Sequence, residues 1–80
     1  MYCDNIFLVM LMKYMKRIRD LREDHDMTQK EIADVLHTSQ PMYARYERGA
    51  NELPIRHLVA LSKFYKVTTD YILGLTNKKR

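Results

Sequence analysis

Between Met27 and Gly49 the chain reads MTQKEIADVLHTSQPMYARYERG, with two helix starts separated by very little sequence. Thr28 begins a capping box with Glu31. Its hydroxyl can accept from the Glu31 amide while the Glu31 carboxylate reaches back to the Thr28 amide. Ile32, Ala33 and Leu36 then form an apolar stripe at helical spacing. Only His37, Thr38 and Ser39 follow before Ser39 caps a second helix, Gln40 to about Arg48. Pro41 falls in its first turn, where a missing N–H costs little, and Gly49 ends it as a left-handed residue. Helices this short are not stable alone in water, so both must be held by packing. The short connection makes them cross closely, with Ala33 as the small residue at the crossing. His37 occupies the turn position that must tolerate positive φ, which histidine does better than most non-glycine residues.

The rest of the chain supplies that packing. Lys13 to His25 carries Tyr14, Ile18, Leu21 and Arg22 at helical spacing, with Lys16, Arg17, Arg19, Asp20, Glu23 and Asp24 on the remaining faces. Asp26 and Met27 break this helix. Pro54 opens another, in which Ile55, Leu58, Val59, Leu61, Ser62 and Tyr65 make a broad apolar face. Thr68 caps a short last helix, Thr69 to Leu73, closed by Gly74. The predicted fold is all-α, a compact bundle of five short helices. Residues 14–76 form the domain, 1–13 an apolar N-terminal extension and 77–80 a basic tail.

At 80 residues there is material for one core, not for a catalytic cleft framed by several layers. The net charge of +4 favours a polyanionic partner only weakly. Cys3 is the one cysteine, so no intramolecular disulfide forms and a reducing cytoplasm is the expected compartment. His25, His37 and His57 show no ligand spacing, so no metal site is expected. Glu23, Asp24, His25 and Asp26 read as a solvated turn, since no second residue set faces them. No paired acid and base or nucleophile is present, so neither an enzyme nor a cofactor or small-molecule substrate is expected. The apolar run Ile6 to Met12 is too short for a bilayer, and its charges flank it in the wrong order for a signal peptide. It can extend the first helix, bury itself in a dimer partner, or stem from a start upstream of the usual one. An appended segment with no part in the domain's function is the favoured expectation, with a dimerisation arm second.

On the helix from Gln40, residues advance 100° each, and two arcs separate. Gln40, Pro41, Ala44, Arg45 and Arg48 share one; Tyr43, Tyr46 and Glu47 share the other. The first mixes hydrogen-bonding and small apolar groups, as a base-reading face requires. From about Met15 to Thr76 the chain resembles the Cro/repressor-type (XRE-type) helix-turn-helix domain of phage repressors and many bacterial regulators. The resemblance rests on LRED two residues before MTQ, the ARYERG run, ELPIRHL and VTTDYILG, in the family's order and spacing.

That resemblance implies a lambda repressor-like DNA-binding domain with helix 2, turn and helix 3 as its reading unit. It implies base contacts from Gln40, suited to adenine, from Pro41, suited to a thymine methyl, and from Arg45, suited to guanine. Backbone contacts would come from Gln29, which also braces Gln40, and from Ser39, Met42 and Arg48. Arg22 and Glu47 would form a structural ion pair between the first helix and the reading helix. His37 stands where the family usually has glycine, and Pro41 is a second departure. The implied function is a homodimeric regulator, a repressor, on a pseudo-palindromic operator at the nucleoid. A protein-interaction module, such as an antitoxin, is the alternative.

Overall fold

A computed structural model describes the backbone of residues 2–80 and the side chains of Val9 and residues 11–80. Within it the chain forms α1 (Tyr2–Asp24), α2 (Gln29–Val35), α3 (Gln40–Glu47), α4 (Ile55–Tyr65) and α5 (Thr69–Leu73). The described residues contain no strand. None of their helices is long and apolar enough to cross a membrane.

The caps expected from the sequence are made. The Thr28 amide donates to Glu31 Oε1 at 2.8 Å, and the Glu31 amide donates to Thr28 Oγ1 at 3.1 Å. Thr68 Oγ1 accepts from the Tyr71 amide at 3.0 Å. His37 takes φ 57°, which lets the Thr38 amide donate to Ala33 O at 2.9 Å and closes the turn between α2 and α3. Asp26 and Lys66 adopt the same left-handed conformation after α1 and α4. At Gly49, φ is 79°, a backbone conformation that calls for glycine; a Cβ there would also displace the flexible Met15 side chain.

The core gathers Ile18 and Leu21 of α1, Ile32 and Ala33 of α2, Tyr43 and Tyr46 of α3, Leu61 and Tyr65 of α4, and Ile72 of α5. Three features emerge only from the fold. First, α1 begins at Tyr2, so the backbone of the apolar run simply continues that helix. Of its described side chains, Val9 and Met12 are exposed. The side chains of residues 1–8, Cys3 included, and of Met10 lie outside the described residues. Second, the inward stripe of α4 is His57, Leu61 and Tyr65, while Ile55 and Val59 are exposed. On this inward face the His57 ring meets the Tyr46 ring edge-on at 5.7 Å.

Third, Arg17 and the basic terminal segment 77–80 are engaged by the rest of the fold. Arg17 Nη1 donates to Tyr71 O at 2.7 Å and Thr76 O at 3.1 Å, and Nη2 to Asn77 Oδ1 at 2.9 Å. Its guanidinium lies 4.1 Å from the centre of the Tyr71 ring. The Thr68 amide donates to Lys79 O at 2.8 Å, so the C-terminal strap closes over the start of α5.

Candidate nucleic-acid interface

α3 owes its orientation to what holds it from behind. Tyr43 is fully buried and meets Tyr46 edge-on at 6.3 Å between ring centres. Ser39 Oγ accepts from the Met42 amide at 3.2 Å, which satisfies one orphan donor of the first turn. At the other end Arg22 of α1 grips Glu47, with Nε to Oε2 at 2.7 Å and Nη2 to Oε1 at 3.2 Å. Its Nη1 donates to Met27 O at 2.9 Å, tying the same guanidinium to the loop before α2. A bidentate pair of this kind fixes direction as well as distance.

Burial alone would raise the Glu47 carboxyl. The hydrogen bonds from Arg22 and Gln29 and the nearby Tyr43 hydroxyl outweigh it and hold the group below the usual carboxylate range. The bond to Glu47 likewise pushes the Arg22 guanidinium up. The Tyr43 hydroxyl faces this carboxylate without reaching good hydrogen-bond geometry, and burial first, then Glu47, drives its pKa upward.

Gln29 Nε2 donates to Glu47 Oε1 at 3.1 Å, and Gln40 Nε2 donates to Gln29 Oε1 at 2.8 Å. The ion pair and the glutamine brace, expected as two separate features, are therefore one connected network. A signal for this lay in the sequence. Gln40 and Glu47 stand seven residues apart, which on a helix leaves them only about 20° out of line. Glu47 thus borders both arcs of α3 instead of belonging to the inward one alone.

Pro41, Arg45 and Arg48 are exposed on the outer arc, with Ala44 between them partly covered. Among the described residues neither arginine enters an ion pair. Ser39 is exposed beside them, while Gln29 and Gln40 are half-buried. Met42 is half-buried against the core, and Asn51 Nδ2 lies 3.7 Å from its sulfur. The surface so formed carries two guanidinium groups outside any ion pair among the described residues, a braced amide and a small apolar patch. A separate open groove of about 330 Å³ lies between the α2–α3 turn and α4, lined by Leu36, His37, Arg56 and His57 among others. Among the described residues no three His, Cys, Asp or Glu side chains cluster to hold a metal.

A family model described as Helix-turn-helix matches residues 18–72. The HTH-type transcriptional regulator YobD of Bacillus subtilis, itself described as uncharacterized, is 38% identical over 64 residues, 80% of this chain and 57% of that protein. The HTH-type transcriptional regulator ImmR of the same organism is 37% identical over 59 residues, covering 74% of this chain and 46% of its own. The cryptic phage CTXphi transcriptional repressor RstR of Vibrio cholerae is 33% identical over 54 residues, 68% of this chain and 49% of that protein. The chain thus spans about half the length of the curated relatives it matches. No solved structure gives a significant match.

Proposed function

The chain belongs to the helix-turn-helix family, and from that premise we propose that it is a DNA-binding transcription regulator and not an enzyme. It binds double-stranded DNA sequence-specifically, as a homodimeric repressor in the cytoplasm at the nucleoid. Residues 14–76 carry the activity, 1–13 are an apolar extension without a DNA contact, and 77–80 are a basic terminal segment. α3 enters the major groove, where Gln40, Pro41 and Arg45 meet base edges. Gln29, Ser39 and Arg48 meet the sugar-phosphate backbone, with Met42 contributing only the part of its side chain left uncovered. Two copies set their α3 helices about 34 Å apart on a pseudo-palindromic operator.

The observation that carries this reading is the division of α3. Tyr43 and Tyr46 are buried and Glu47 is clamped, while Pro41, Arg45 and Arg48 stand exposed beside a braced Gln40. A helix held so firmly on one side and so unencumbered on the other suits a groove lined with phosphates and base edges. The exposed apolar side chains Val9, Met12, Ile55 and Leu75 offer surface that a second copy could cover.

Selection of bound sequences from a random duplex pool, followed by affinities at two salt concentrations, tests the reading. Affinity should fall steeply with salt as counterions are released. Gln40→Ala should lose about 1–3 kcal/mol of discrimination with an unchanged circular dichroism spectrum. Absent or salt-insensitive binding counts against it. Ile55, Val59 and Phe64, exposed on α4, favour a second reading as a protein-interaction module. A chain that captures a protein partner but selects no duplex supports that alternative.

A further inference from the structure

The hydrogen bonds from Arg22 through Glu47 and Gln29 to Gln40 have a direction. An ionised carboxylate only accepts, whereas a glutamine amide has a donating and an accepting end that exchange on a half-turn. Glu47 Oε1 already receives Arg22 Nη2 and leaves only an acceptor for Gln29. Gln29 must therefore turn Nε2 toward Glu47 and Oε1 away from it. Gln40 meets that oxygen with its own Nε2. One Nε2 hydrogen and the Oε1 of Gln40 then remain for anything outside the protein.

We propose that Glu47 is a specificity-determining positioning residue: its charge, relayed through Gln29, holds the Gln40 amide in one of two orientations and so commits it to adenine over guanine. The inference rests on the reading of α3 as the base-contacting helix. In the observed orientation Gln40 turns Nε2 toward Gln29 and is left with one donor beside a free Oε1, the complement of adenine N7 and N6–H. Reversed, it would turn Oε1 toward Gln29 and both Nε2 hydrogens outward, two donors that complement guanine O6 and N7. The reversed order would set Gln29 Oε1 against the Glu47 carboxylate with no proton between them, two negative acceptors in contact where a hydrogen bond stood. The low pKa of Glu47 keeps the charge in place at neutral pH.

Glu47→Gln keeps the shape and removes the constraint, because an amide there can accept or donate. The probe is the duplex that the full chain selects from a random pool, with the position read by Gln40 located as the one where Gln40→Ala loses preference. Adenine-over-guanine preference at that position should fall about tenfold in Glu47→Gln, with other positions unchanged. Gln29→Met leaves the Arg22–Glu47 pair intact and should cause the same loss; combining the two should add nothing further to it. An affinity loss spread evenly over all sequences, with adenine preference retained, overturns the proposal. If Glu47→Gln does not fold, Gln29→Met decides in the same way.

Side-chain amide NMR of the DNA-free chain gives an independent readout. The Gln29 and Gln40 Nε2 protons should show slowed exchange that Glu47→Gln abolishes, and unprotected amides in the parent chain overturn the relay. A protected relay in a chain that selects no duplex would remove the DNA reading and leave the ordering of the amides standing.

Discussion

Replacing Arg22 by methionine should expose what the α1–α3 clamp contributes. The Arg22 side chain is 14% exposed and the Glu47 side chain 6%, so the variant strands a carboxylate that solvent can barely reach. Three hydrogen bonds go with the guanidinium, at 2.7, 3.2 and 2.9 Å. Only the one from Gln29 remains to Glu47 at good geometry. Breaking one partner of a buried pair costs about 3–5 kcal/mol, chiefly through the unpaired charge left behind. A chain of this size has roughly 4–12 kcal/mol of stability in all. The variant should therefore lose at least about 12 °C in Tm.

The pH dependence separates this cause from simple loss of packing. In the parent chain the Glu47 carboxyl sits below its unfolded value, so the clamp stabilises above the unfolded carboxylate pKa and loses that stability as pH falls through the folded one. Without Arg22 the remaining dominant influence is burial, which raises the carboxyl. The variant should then gain stability from Glu47 as pH falls through that raised value. Urea denaturation of both chains at pH 7 and pH 5, followed by circular dichroism, measures the difference. The gap between them should narrow at pH 5. A loss below about 1 kcal/mol, or a gap constant with pH, refutes the stranded-charge account.

Other perturbations probe separate parts of the molecule. Arg48→Ala should weaken binding about evenly across duplex sequences and reduce the salt slope by about one, whereas Arg45→Ala should relax preference at one base position; competition assays at several salt concentrations distinguish them. Burial, and then Arg56, push the His57 imidazole below its ordinary value, so the unfolded chain binds this proton first. Stability should fall as pH drops below about 6.5 toward the folded pKa, and His57→Phe should flatten that segment of the urea-denaturation profile. His37→Gly should raise stability by up to about 1 kcal/mol, the left-handed strain relieved less the added entropy of the unfolded chain; no change in the urea midpoint would show that φ 57° costs histidine little here.

Local signals carried far in this chain because its elements are short and punctuated. Thr28 with Glu31, Ser39 with Pro41, and Thr68 before Gly74 each state a helix boundary within a few residues, and the structure uses them all. The faces of α3 were legible for the same reason: a period of 3.6 residues makes facing a local property. Less legible was anything that depends on a neighbour. The apolar side chains of α4 number more than one face can bury, and the face that turns inward carries His57 against Tyr46 and leaves Ile55 and Val59 exposed. Arg17 has no local partner to announce it, since its acceptors lie on the far end of the chain.

The stretch from Met27 to Gly49 thus determined by itself that two capped helices meet across a tight turn, and which arc of the second points away from the core. Propensity, capping and periodicity act within a few residues, so such features need no tertiary partner. The bond from Gln29 to Glu47, which joins the expected ion pair and the expected glutamine brace into one run from Arg22 to Gln40, came only with the tertiary structure. That run joins α1, α2 and α3, and the orientation of each amide depends on the charge behind it. Hydrogen-bond direction passes through space between side chains, and only packing brings those side chains within reach of one another.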